Sequence, residues 1–118
     1  TTSSSSAISL SWADASTNET SFQIERSLNS GSGFAWLTTT AADITSFVDT
    51  NLSSGTTYYY RIRAVNAAGN SAYTAEALAT TTQTIPVVPA NFSASVVSST
   101  SLKLSWIDAS NNETGFQI

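Results

Sequence analysis

Residues 51–73 read NLSSGTTYYYRIRAVNAAGNSAY, and this stretch decides the fold. From Tyr58 to Val65 the residues alternate. Tyr58, Tyr60, Ile62 and Ala64 fall on one side; Tyr59, Arg61, Arg63 and Val65 fall on the other. A period of two marks a half-buried strand. The first set faces a core, and the arginines mark the second as the wet face. Leu52-Ser-Ser-Gly55 turns the chain into the strand, and Asn66-Ala-Ala-Gly69-Asn70 turns it out again, with residue types that tolerate left-handed backbone.

Working outward, residues 7–24 read AISLSWADASTNETSFQI and residues 101–118 read SLKLSWIDASNNETGFQI. Trp106 stands 94 positions after Trp12, and the motifs Leu-Ser-Trp, Asp-Ala-Ser, Asn-Glu-Thr and Phe-Gln-Ile recur without a gap. A self-match this long is a tandem repeat. Ile8, Leu10 and Trp12 alternate inward, as do Phe22 and Ile24, with Gln23 and Glu25 outside. Asn29-Ser-Gly-Ser-Gly33 has the composition of a hairpin turn. Pro86 and Pro89 stiffen the segment 80–90 and remove backbone donors from it.

The run of leucine, turn, Gly-Thr-x-Tyr, alternating strand, Arg-Ala-Val-Asn and Gly resembles the fibronectin type III family at strand F. The resemblance implies an all-β, seven-stranded antiparallel sandwich of the immunoglobulin-like type, and a period of 94 suits such a module. It implies that Tyr58 is the tyrosine corner, its hydroxyl donating to a backbone acceptor around Leu52–Ser54. It casts 8–12 as strand B, 22–25 as C, 34–38 as C′, 45–49 as E, 58–65 as F and 71–80 as G. The expected organisation is a module over 1–82 without its strand A, a linker over 83–90, and strands A to C of the next module over 91–118. On this reading the termini are a window on a longer array, or else the tail of one chain completes the next by strand exchange.

Composition bounds the function. The 118 residues carry 4 Lys+Arg against 8 Asp+Glu, a net charge of −4. No basic stripe exists for nucleic acid. No apolar run approaches the roughly 18–20 residues that span a membrane. Cysteine, histidine and methionine are absent, which removes disulfides, thiol nucleophiles, Cys/His zinc sites and the commonest general base. No catalytic residue, cofactor or metal is expected. Asn18, Asn51, Asn91 and Asn112 open N-glycosylation patterns that so polar a composition produces by itself.

Two groups are candidates for more than folding. Asp14, Asn18 and Glu19, repeated as Asp108, Asn112 and Glu113, offer carboxylates to a hard cation. Equally they suit a loop held by side-chain bonds to its own backbone, and recurrence in both copies favours that structural role. The second group is Trp36, Tyr59, Arg61, Arg63 and Glu25 on an outer sheet face. There an aromatic ring stacks on a sugar or a neighbouring module, or simply folds over the sheet edge while Glu25 pairs with an arginine.

The reading is a structural module of an extracellular or cell-surface tandem-repeat protein of bacterial type: a spacer, adhesin stalk or filament subunit. Each module adds roughly 30–40 Å. Its partners are neighbouring modules or identical chains. The alternative is an accessory or carbohydrate-binding module of a secreted polysaccharide-degrading enzyme, with polysaccharide as partner.

Overall fold

The computed structural model describes residues 1–118, the side chain of Thr2 excepted. Two compact units divide it, Thr1–Gln83 and Thr84–Ile118. Every strand pairing is antiparallel.

The first unit is a two-sheet sandwich. One sheet orders β1 (Thr2–Ser3), β2 (Ile8–Ser11) and β5 (Ser46–Asp49) as β1-β2-β5. The other orders β4 (Ala35–Ala41), β3 (Ser21–Ser27) and β6 (Thr57–Asn66), with β7 (Gly69–Asn70) and β8 (Ala77–Thr80) both on the far side of β6. Alternation in β6 works as the sequence implies: Tyr58, Tyr60 and Ile62 are buried. With Ile8, Leu10, Phe22, Ile24 and Leu52 they form the core, and Trp12, Leu37, Phe47, Ala64 and Ala79 pack against it.

A partly buried ionic cluster joins the two sheets. Asp49 is 3% exposed. It stands opposite Ile8 in the first sheet, while Arg26 and Tyr60 stand opposite each other in the second. Arg26 Nη1 donates to both Asp49 oxygens, at 3.0 and 2.8 Å, and the Tyr60 hydroxyl donates to Asp49 Oδ2 at 2.9 Å. The Arg26 guanidinium also lies 5.4 Å from the Tyr58 ring centroid. Burial and the neighbouring carboxylate push the Tyr60 hydroxyl well above its ordinary range.

Tyr58 bonds where a tyrosine corner should, but with the roles reversed. Its hydroxyl accepts from the Ser53 N–H at 3.0 Å, so the upstream partner is a donor. Thr81, 2% exposed, pins the same turn. Its hydroxyl donates to Ser53 O at 2.6 Å and accepts from Thr56 N at 3.0 Å.

Three expectations need correction. The first unit does not lack a strand ahead of β2, because Thr2–Ser3 pairs with Ile8 and Ser9. The expected strand over 71–80 is broken: β8 covers only Ala77–Thr80. Between β7 and β8, hydroxyls stand in for a strand. Ala64 N donates to Ser71 Oγ and Ile62 N to Thr74 Oγ1, so the edge of β6 stays satisfied. Trp12 lies one residue beyond β2, half-buried with its ring edge on Phe22 at 5.8 Å, and its Nε1 has no partner.

The second unit is a hairpin of β9 (Ala90–Ser98) and β10 (Ser101–Ile107). Trp106 repeats the packing of Trp12, its ring 5.5 Å from Phe116. No strand forms over 114–118, against expectation. The counterpart β3 is paired on both sides, by β4 and β6, and the described residues of the second unit hold no counterpart of either.

Tyr58→Phe should lower the unfolding free energy by about 1 kcal/mol, the net worth of one hydrogen bond. The value is modest because Ser53 is exposed, so water takes over its N–H. An unchanged midpoint in equilibrium denaturation would show that the hydroxyl does not hold the turn.

Candidate interaction face

The outer side of the second sheet gathers the expected residues. Register alone sets Glu25 opposite both Trp36 on β4 and Arg61 on β6, Gln23 opposite Arg63, and Ser27 opposite Tyr59. Arg61 Nε donates to Glu25 Oε2 at 2.7 Å, and its Nη2 completes the ion pair. The Tyr73 hydroxyl donates to Glu25 Oε1 at 2.7 Å. The Arg61 guanidinium lies 4.0 Å from the Tyr73 ring centroid and 4.4 Å from that of Phe34. Arg63 donates to Gln23 Oε1 at 2.9 Å and lies 4.7 Å from the Tyr73 ring.

Burial opposes ionisation of Glu25, but the bonds from Tyr73 and Arg61 outweigh it and hold the carboxyl below its ordinary value. The same bond to Glu25, with burial second, raises the Tyr73 hydroxyl. Glu25 is therefore paired with Arg61, and Arg63, the second cation of the face, rests on Gln23 and the Tyr73 ring. The face is a braced surface and offers no activated nucleophile.

Trp36 is the exception. It is 66% exposed, and its Nε1–H donates to Thr39 Oγ1 at 3.1 Å, which fixes the ring plane. Phe34 and Tyr73 complete the face and were not legible as its members. Phe34 precedes β4, and Tyr73 sits in the irregular stretch between β7 and β8. The available signal was the pairing of these aromatics with two nearby arginines.

The acidic loop braces itself. Asp14 Oδ1 accepts from Ser16 N at 3.1 Å, and the Ser16 hydroxyl donates to Glu19 Oε2 at 2.6 Å. In the second unit Asp108 accepts from Ser110 N at 3.2 Å, and the Ser110 hydroxyl donates to Glu113. The serine hydroxyl, followed by backbone N–H, lowers each glutamate's pKa. Asn18 O accepts from the Asn66 side chain. Asp14, Glu19 and Asp43 place carboxylate oxygens within 4.8 Å of one another. The feature both units share is the serine bridge.

Glu25→Gln tests the network through pH. A lowered carboxyl contributes stability that is present above its unfolded value, near 4.5, and is lost as pH falls through the folded value. The parent chain should therefore lose stability on acidification more steeply than the variant, which should be the less stable of the two at neutral pH. Parallel acid limbs in urea titrations would contradict this.

Comparison with known proteins agrees with the geometry. The family model described as Fibronectin type III domain matches residues 1–80. Exoglucanase B of Cellulomonas fimi is 39% identical over 80 residues. That match takes in 63% of this chain, which spans only 7% of that enzyme's length. The sixth fibronectin type III domain of human fibronectin type III domain containing protein 3 superposes with a TM-score of 0.59 at 20% identity, covering 72% of this chain and 80% of that domain. A further human domain of the type, described as the fourth, gives a TM-score of 0.63 at 15% identity, covering 75% and 76%. At these identities the two domains speak to fold alone. The sandwich, its tyrosine turn and the match over residues 1–80 agree: the chain belongs to the fibronectin type III family.

Proposed function

We propose that this chain is a non-catalytic structural module of an extracellular, bacterial tandem-repeat protein, serving as a spacer, adhesin stalk or filament subunit. The observation that supports it most is the recurrence of residues 7–24 at 101–118, together with the same serine-bridged loop in both units. Repeated modules add length, and what they repeat is structure. The braced outer face fits this role: Glu25 and Arg61 pair with each other and Arg63 rests on Gln23, which suits a stiff element better than a reactive one. The absence of histidine and cysteine from the sequence points the same way.

A second reading is favoured by one observation. Exoglucanase B, by its name a glucan-cleaving enzyme, shares 39% identity with an 80-residue stretch of this chain. The chain is then an accessory or carbohydrate-binding module of a secreted polysaccharide-degrading enzyme, and Trp36, exposed with its ring plane fixed by Thr39, is the ring for stacking on a sugar.

Pull-down on insoluble cellulose separates the two. A pure spacer stays in the supernatant, and Trp36→Ala changes nothing. Retention that falls at least about tenfold in Trp36→Ala, a loss of roughly 1.4 kcal/mol, would replace the first reading with the second.

A further inference from the structure

The outer face of the second sheet has a closed end and an open one. At the closed end Glu76 accepts from the Ser30 hydroxyl and the Gly31 N–H, both at 2.7 Å, which ties the β3–β4 turn across the sheet to the residue ahead of β8. Phe34, just behind that turn, covers the Arg61 guanidinium. At the open end the register sets Thr39, Gln23 and Arg63 in one row across β4, β3 and β6. Trp36 extends to this row, since its Nε1–H donates to the Thr39 hydroxyl.

Arg63 is the cation of this row, and it has no carboxylate. Arg26 pairs with Asp49 and Arg61 with Glu25, but among the described residues Arg63 has no such partner. Its contacts are neutral. Nε donates to Gln23 Oε1 at 2.9 Å, and the Tyr73 ring centroid lies 4.7 Å from the guanidinium. The Asn70 amide oxygen, turned toward it, accepts from Nη1 and Nη2 at 3.2 Å. These bonds take one N–H each from Nε, Nη1 and Nη2, and a guanidinium has five, so one stays free on each Nη. Gln23, its oxygen spent on Arg63, keeps its NH2 group as a donor. Two strand spacings, about 9–10 Å, separate β4 from β6. A sugar ring stacked on Trp36 therefore leaves Arg63 to the next unit of the same polymer.

We propose that this row binds an acidic polysaccharide. One pyranose ring stacks on Trp36, Gln23 donates to a sugar hydroxyl, and the carboxylate of a neighbouring uronate unit takes the free N–H groups of Arg63. The proposal rests on the carbohydrate-binding reading of Trp36 and adds the charge of the ligand. A neutral glucan meets the same ring but leaves the cation unmatched. The chain's net charge of −4 opposes a polyanion at a distance, but salt screens that repulsion beyond about 8 Å under physiological conditions. Both carboxylates of the face are already engaged, Glu25 by Arg61 and Tyr73, and Glu76 by the turn.

The test is titration calorimetry of the 118-residue chain with polygalacturonate, with its fully methyl-esterified form, and with hydroxyethyl cellulose. The ester keeps the sugar ring and removes only the charge. The parent chain should bind the acid at least about tenfold more tightly than the ester. Arg63→Gln should erase that preference and keep the affinity for the ester, whereas Trp36→Ala should weaken both. Equal affinity for acid and ester, or a preference that survives Arg63→Gln, overturns the proposal and leaves the carbohydrate-binding reading standing. Binding to none of the three overturns both.

Discussion

The Asp49 carboxylate is the point at which the two sheets are tied together. It sits on β5, takes two bonds from Arg26 on β3 and one from the Tyr60 hydroxyl on β6. Core side chains attract the sheets without direction. This cluster adds direction, because few orientations of the Asp49 carboxylate set both oxygens within reach of Arg26 Nη1 and one of them on the Tyr60 hydroxyl. A one-residue slip of β5 would turn Asp49 out to water and leave the buried Tyr60 hydroxyl without its acceptor and Arg26 without its counter-ion. A buried ion pair is weak evidence for net stability, because its desolvation opposes its attraction. Its role here is to make one alignment of the sheets far better than its neighbours.

Periodicity made most of this fold legible. β6 announces itself by strict alternation, β2 and β3 by apolar residues two apart, and the repeat by an 18-residue self-match. Periodicity failed where side chains replaced backbone. Ser71 and Thr74 satisfy β6 with hydroxyls, so residues that look like strand do not form one. It was also under-read at the ionic cluster. Arg26 continues the inward parity of Phe22 and Ile24, and Asp49 that of Phe47, yet charge suggests an outward side chain. A charged residue on an apolar parity was the signal. The reversed bond at Tyr58 had no signal at all, because a hydroxyl donates or accepts according to what lies beside it.

The outer face was legible as a set but not as a network. Alternation put Glu25, Arg61 and Arg63 together, and the register joined Trp36 and Tyr59 to them. Nothing in the sequence sent Tyr73 back across β6 to Glu25, since that contact depends on the irregular path between β7 and β8. With Tyr73 in place, Arg61 lies between two rings and Glu25 has both oxygens engaged. Inside, the ionic cluster fixes the sheets; outside, this network stiffens one of them. Both arrangements engage charged side chains with other groups of the same module.

The central claim is that Asp49, Arg26 and Tyr60 fix the sheets as a unit, and a double-mutant cycle measures it most directly. Urea unfolding of the parent chain, Asp49→Ala, Arg26→Ala and the double variant gives the coupling. Asp49→Ala alone should cost about 1–3 kcal/mol, chiefly because it leaves the buried Tyr60 hydroxyl without its acceptor, while Arg26, about a third exposed, turns to water. The double variant should then cost less than the sum of the singles by at least about 1 kcal/mol. Strictly additive losses, or an Asp49→Ala midpoint equal to the parent's, would contradict the account.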